Sequence, residues 1–541
     1  MSSKANGTVR KRKEGRKMKS IDTMETLDEK IESIGNHREH LKEDNAYEET
    51  PVPGSPASEA SVTASSSSSS GTSTATTTTA NTTTTTTTTK RGKDVRRFRF
   101  RNLSHKFQES LLDEMRPEST FFGFYTLFWL TLAVVIVRSA VYNYVEFRAL
   151  FGSNIAQILI TDIVPIGLTD LLMYITTYVT VAIQLAIKRG FISWNRTGWM
   201  LQTLWQTWFL FSYMLFADWM KFPWIGQVFL LLHSLVLIMK QHSFAYYNGY
   251  LWSITKELDE KQDLLTRLKK RGYEDQSNLD KISADIAFCK EELQAQSSST
   301  PFPKNVTVSN YFQYSMFPTL VYQIEYPRTD RIRWKYVLEK IAAVFGVFFL
   351  MIVVAENYLY PSAIRALALR DVSFSQKCAL YPYIFLDLVI PFLVMYLLVF
   401  YIIWDAILNA IAELTRFADR EFYGPWWNSV TWDQFARDWN TPVHRFLLRH
   451  VYHSSMSALH VSKGSATVFT FLLSSCVHEL VMLCIFKKLR GYLLFLQMCQ
   501  LPLVAISRTR YFRDKRTLGN IVFWFGIITG PSLMCSMYLT F

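Results

Sequence analysis

A chain of 541 residues that is 49% hydrophobic and 15% aromatic, yet carries a formal charge of +13, is not composed like a soluble domain. Its apolar residues are bunched into stretches of about 17–25, the length that crosses a bilayer, so an all-α polytopic membrane protein is expected. The six cysteines show no CxxC pair and no even spacing, which argues against a zinc module and against a disulfide scaffold.

Residues 1–95 read as a disordered cytosolic tail. Serine is unbroken from Ser65 to Ser70 and threonine from Thr82 to Thr89, and such a segment has too little apolar surface to offset the entropy of ordering. The basic start, MSSKANGTVRKRKEGRK, has no apolar stretch behind it, so no cleavable signal peptide is expected. The cluster KRGKDVRRFRFR, Lys90 to Arg101, leads into a juxtamembrane segment over 96–120. It reads as an anchor attracted to anionic headgroups. Nothing else in the chain supports a nucleic-acid role.

The multi-span region, 121–541, holds nine expected spans: 121–137, 165–187, 198–217, 223–239, 341–355, 381–404, 464–486, 491–506 and 519–539. With nine, the basic segments 188–196, 241–340, 405–463 and 508–516 share a side with the tail, which the positive-inside rule makes the cytosol. Segments near 240–340 and 405–463 are therefore expected to be cytosolic. The short KKLR, 487–490, falls on the other side, which argues that the spans flanking it do not both cross fully. Within 240–340, ITKELDEKQDLLTRLKKR has leucines at helical spacing and opposite charges three and four apart, the pattern of an amphipathic packing helix.

Two places carry candidate chemistry. FLLSSCVHELVM sets His478 and Glu479 in the middle of an apolar span, where ionisable groups are costly and generally functional. HELVM lacks the second His of a zinc-binding HExxH helix, so no metal is called for. Ser474 lies one helical turn before His478. It is either a nucleophile with His478 as its base or a group that meets a backbone carbonyl or a substrate, and the missing acidic orienter favours the second. Glu479 points about 100° away around the helix and reads as a structural partner. The other place is ELTRFADREFYGPWWNSVTWDQFARDWNTPVHRF, where Arg, Asp, Trp, Tyr and Asn crowd together. Its two Asn-bearing motifs, WWN and DWN, suit oxyanion donation better than a surface anchor.

These residues carry a resemblance. FYGPWWN is similar to the FYxDWWN signature of the membrane-bound O-acyltransferase family, and WNTPVHRFLLRHVYHSSMS and SSCVHELVM resemble its fungal sterol O-acyltransferases. SLLDEMRPES, LIMKQHSF and FPTLVYQIEYPRT fit as well, so the likeness runs from about 107 to 541. It implies about nine transmembrane helices in that family's fold, with His478 as the catalytic base and Asn440 as its partner. Lys463 and Tyr452 would line the acyl-CoA site, with Trp439 and Ser474 beside the reaction centre. Phe422, Tyr423, Gly424, Pro425, Trp426, Trp427 and Asn428 hold the signature positions. Pro425 stands where the family usually has Asp, which removes a carboxylate and fixes a backbone dihedral.

The implied reaction moves a fatty acyl group from acyl-CoA, a co-substrate, to the 3-hydroxyl of a sterol arriving from the bilayer, with no cofactor. His478 would take the hydroxyl proton, and Asn440 would orient the acyl carbonyl. The aromatic signature is then expected to be a rigid cytosolic wall of the acyl-CoA entrance. The resemblance further implies a homo-oligomer in the endoplasmic reticulum membrane, in contact with membrane lipids. Diacylglycerol acyltransfer within the same family is the nearest rival, and a lipid carrier or sensor a more distant one. No internal symmetry of the kind transporters show is evident.

Overall fold

The computed structural model describes residues 105–115, 122–147, 160–273, 275–294, 300–458, 460–513 and 515–541. The tail expected over 1–95, and the juxtamembrane segment apart from 105–115, lie outside the described residues.

The described residues are helical, without a named strand, and seven helices are long and apolar enough to cross a membrane. These are Gly123–Tyr142, Ile163–Lys188, Trp224–Lys270, Trp334–Asp371, Phe374–Leu414, Lys463–Phe486 and Arg516–Thr540. Their outward faces stay apolar: Phe124, Leu130, Phe345 and Phe525 are all exposed, as lipid-facing side chains are. The chain is a multi-pass membrane protein, and two of the nine expected spans account for the difference in number.

The first is Trp199–Trp219, 21 residues and so about 31 Å long. Its buried stripe is Gln202, Gln206, Phe209, Tyr213 and Ala217, and the two glutamines make it too polar for the apolar set. They are there to pair: the Gln202 amide donates to the Thr180 hydroxyl at 3.0 Å, and Thr180 donates to Gln241 at 2.9 Å. The second is Tyr492–Ser507, which is apolar but falls short of a full span and breaks at Cys499. It follows Lys487 and Gly491, both in the left-handed conformation. The basic KKLR stretch accordingly sits in a turn before a short helix.

The fourth expected span, 223–239, runs on as one helix of 47 residues, Trp224–Lys270, about 70 Å long. Its far end is the amphipathic segment anticipated above. It packs against Gln276–Gln294, where Lys261 pairs with Asp285.

Among the described residues four helices contain a π turn, at Trp194–Gly198, Ala355–Leu359, Tyr401–Ile407 and Leu447–Tyr452. The extra residue in such a turn re-aims side chains that a regular helix would direct elsewhere. Asp405 lies in the third of these turns and His450 in the fourth, both buried. After Leu414 the chain reverses through Arg416, whose φ is +58°, and Phe417 N–H caps the Ala412 carbonyl at 2.8 Å. The extended residues that follow lie between two other segments. Gln108 bridges Asp419 in parallel and Arg328 bridges Phe417 in antiparallel fashion.

Candidate active site

The signature stretch, expected as a rigid wall of the acyl-CoA entrance, has its aromatic side chains turned into the core. Phe422, Tyr423 and Trp426 are each 2% exposed or less and form the centre of a core with Phe317, Phe400, Phe417 and Phe523. Trp427 is half-buried, and Pro425 and Asn428 face outward. The loop is tight: Trp426 N–H donates to the Gly424 carbonyl at 2.7 Å, and Asn428 N–H to the Pro425 carbonyl at 2.9 Å. Pro425 itself has φ −74°, the value its ring dictates, so the proline fits this turn without distortion.

Backbone bonds tie the signature to the DWN stretch. Gly424 N–H donates to the Asp438 carbonyl at 2.7 Å and Thr441 N–H to the Phe422 carbonyl at 3.1 Å. The approach is close: a Cβ at 424 would sit 3.1 Å from the Asp438 Cβ, so a larger residue there would have to push the Asp438 side chain aside. Trp439 lies parallel to Tyr396 at 4.6 Å and contacts Phe400 at 4.9 Å, Trp404 at 5.1 Å and Trp426 at 4.9 Å. From the other side, Asn520 holds the Trp427 and Ser429 carbonyls at 3.2 and 2.9 Å, and the Trp524 indole donates to Trp427 at 3.1 Å. Asn440 caps the following helix, its Oδ1 accepting from Val443 N–H at 3.2 Å. The carboxamide N–H₂ has no hydrogen bond among the described residues.

Beneath the signature is a buried polar network that motif reading missed. Tyr423 O–H donates to Asp405 at 3.0 Å, and Lys340 donates to the other Asp405 oxygen at 2.8 Å. Ser110 reaches Asp405 at 3.4 Å and Tyr423 at 3.3 Å, while Asp113 meets Lys340 at 3.3 Å and accepts from Tyr336. Burial first, then the adjacent Asp405 carboxylate, pushes the Tyr423 phenol well above its ordinary value, so it remains a donor. A second cluster lies next to it. Asp419 contacts His105 and Arg445, and Arg445 also contacts Glu421. Burial raises the Asp419 carboxyl, but His105 and Arg445 outweigh it and leave it below its ordinary value. The only sequence signal for these groups was a charge at the edge of an apolar run, as Lys340 and Asp405 are.

A third buried group, also unread in the sequence, surrounds His450. Its Nε2 lies 2.8 Å from the Ser243 hydroxyl, and its ring is 5.4 Å from that of His242. Burial, then the charge of Arg449, holds His450 well below the usual histidine value.

His478 lies on the Lys463–Phe486 helix, which packs against the Leu447–Tyr452 turn and the Trp224–Lys270 helix. The ring is exposed within the described residues, and its Nδ1 lies 2.7 Å from the Ser474 carbonyl. A carbonyl only accepts, so Nδ1 carries the proton and Nε2 is left with its lone pair outward. The partner is the Ser474 backbone and not its hydroxyl, so no Ser–His nucleophile pair is formed. Glu479 is buried and accepts from Gly491 N–H at 2.7 Å, Leu494 N–H at 3.1 Å and Tyr538 O–H at 2.7 Å, the structural role expected of it. Lys463 is the exposed first residue of the same helix, and Tyr452 is half-buried at the end of the π turn, its ring 5.3 Å from that of His453. The signature, Trp439 and Asn440 thus form one bonded unit. Among the described residues no hydrogen bond joins that unit to His478.

Residues 153–540 match the sequence model of MBOAT, membrane-bound O-acyltransferase family. The chain belongs to the membrane-bound O-acyltransferase family. Within this family it is 45% identical over 493 residues to sterol O-acyltransferase 2 of Candida albicans, covering 84% of this chain and 81% of that one. It is 48% identical over 431 residues to sterol O-acyltransferase 2 of Saccharomyces cerevisiae, covering 78% and 67%. The likeness to diacylglycerol O-acyltransferase 1 of Dictyostelium discoideum is weaker, 34% over 240 residues and 44% of this chain.

Proposed function

We propose that this chain transfers a fatty acyl group from acyl-CoA to the 3-hydroxyl of a sterol, forming a steryl ester. The observation that carries the reading is the similarity to sterol O-acyltransferases over most of the chain, against less than half of it for the diacylglycerol enzyme. The protein works in the endoplasmic reticulum membrane as a homo-oligomer, with its N-terminus in the cytosol.

His478 acts as general base. Its Nδ1–H is committed to the Ser474 carbonyl, so Nε2 takes the sterol hydroxyl proton as the oxygen attacks the thioester carbonyl. The carbon–sulfur bond breaks, and the leaving sulfur takes that proton back from Nε2, so coenzyme A departs as the thiol and the base is restored. Asn440 offers its N–H₂ to the acyl carbonyl, a donor its capping contact through Oδ1 leaves available. Lys463, at the exposed start of the His478 helix, meets coenzyme phosphates. Trp439, Tyr452 and Ser474 take part in holding the substrates.

The test is esterification by the purified protein in lipid nanodiscs, offered oleoyl-CoA with ergosterol, cholesterol or diacylglycerol. Steryl ester from the parent, and none from His478→Ala, is the expected result. Triacylglycerol alone would overturn the acceptor, and no ester from any acceptor would overturn the activity.

A further inference from the structure

A cavity of about 260 Å³ opens where three chain segments meet, and its chemistry is unlike that of the acyl-transfer site. Its walls are Phe107 to Glu109, Arg328 to Arg331 with Arg333, and Ala418 with Arg420. The bridges described above hold the three together. Gln108 N–H donates to the Ala418 carbonyl at 3.0 Å, Arg420 N–H to the Gln108 carbonyl at 2.9 Å, and Thr329 N–H to the Arg416 carbonyl at 3.0 Å. Four arginines face two carboxylates, Glu109 and Asp330, across this small volume.

The arginines are held in place by their surroundings. Buried Glu413 pairs with both Arg333, at 3.1 Å, and Arg420. Arg333 also lies over the Tyr336 ring at 4.7 Å, and Arg328 over the Phe317 ring at 5.0 Å while donating to Gln313 at 3.0 Å. Glu109 reaches Arg333 at 3.4 Å. Donors are left over. Arg420 is 3% exposed and its Nη1 has no protein partner, and neither has the buried Thr329 hydroxyl. Arg331 makes no ion pair or hydrogen bond among the described residues. Leaving buried donors unmet is costly, and a ligand with several acceptor oxygens would meet them.

The cavity's place in the chain narrows the ligand. Arg333 immediately precedes the apolar helix Trp334–Asp371, and Ala418 and Arg420 follow directly on Phe374–Leu414. Trp334 itself is exposed, as an aromatic at a membrane–water boundary is. We propose that this cavity binds the phosphate of an anionic lipid headgroup, clasped by the Arg328, Arg331 and Arg420 guanidiniums and the Thr329 hydroxyl. Forked guanidiniums match phosphate oxygens, and basic pockets between membrane helices take lipid headgroups. The volume suits a headgroup and falls below the roughly 300–1,000 Å³ of sites that enclose a larger ligand. One wall, 107–109, leads directly into Ser110, so the bound phosphate braces the segment that reaches Asp405 and Tyr423.

The proposal does not depend on turnover and is tested by binding. Full-length protein in detergent is mixed with phosphatidic acid or phosphatidylcholine, and retained lipid is read by native mass spectrometry. His478→Ala is run in parallel to keep catalysis out of the readout. Phosphatidic acid should be retained and phosphatidylcholine lost. The double variant Arg328→Gln/Arg331→Gln, which touches only exposed side chains, should weaken retention roughly tenfold by removing two charge-assisted contacts. Lys269→Gln/Lys270→Gln, the same charge change on the distant helix end, should not. Competition by inorganic phosphate at equal concentration would keep the phosphate site and assign it to the free anion. Retention unchanged in the double variant, or displaced by coenzyme A in preference to phosphate, would overturn the proposal.

Discussion

The signature stretch and the His478 helix are built in opposite ways. Phe422, Tyr423 and Trp426 sit in a dense aromatic core above a buried ion network, with backbone bonds running to Asp438, to the 441 amide and to Asn520. His478 is held by one bond to its own helix and is otherwise exposed. Residues crowded with partners fix geometry, whereas a base must keep a lone pair unengaged. The conspicuous motif is therefore scaffold, and the sparsely bonded histidine is the candidate for chemistry.

This contrast breaks most visibly on His478→Ala, which should lower esterification about 10²- to 10⁴-fold, the range of general-base loss. Its thermal midpoint should stay near the parent's, because substitutions of exposed side chains usually lie within about 0.5 kcal/mol. A large drop in midpoint would place His478 with the scaffold instead. On the scaffold side, Lys340→Met strands the buried Asp405 carboxylate and should cost about 3–5 kcal/mol, read as a lowered unfolding midpoint and poor recovery. Adding Asp405→Leu should restore much of it. If the double variant were no better, the network would matter to the signature for more than charge balance. Trp426→Ala should lose a similar 3–5 kcal/mol, as aromatic truncations in cores do.

Acid should act on the scaffold too. Burial, helped by Arg437 and Arg445, pulls His444 from an ordinary 6.5 down to about 4. The unfolded chain then takes the proton first, so this contribution is complete above about pH 6.5 and is lost as pH falls toward 4. The midpoint should decline across that window, and less steeply in His444→Gln. The smallest effect is expected of Pro425→Asp. The position is exposed and its φ of −74° is open to any residue, so stability should move by less than about 0.5 kcal/mol and turnover hardly at all. A marked gain in turnover would show that the signature acts on substrate and not only as support.

Much of this was legible in the chain. Long apolar runs foretold a helical membrane protein because a bilayer leaves the backbone few other choices. His478 stood out because an ionisable group amid apolar residues is costly, and Glu479 was legible as structural from the helical angle alone. Two spans read less well. The stretch 198–217 was expected to be an apolar span, yet it buries Gln202 against Thr180 and Gln206 against His242, and 491–506 looked continuous although the chain breaks at Cys499.

Composition and periodicity determined the class of fold and the apolar exterior, and short motifs such as FYGPWWN carried the family resemblance, since each is a local property of the chain. Which charges meet was decided only in three dimensions. Ser110 lies 295 residues from Asp405, and Lys340 lies 65 from it. The cavity of arginines joins residues near 108, 330 and 420. Local patterns cannot encode such pairings, because they arise from how helices pack and where π turns redirect their side chains.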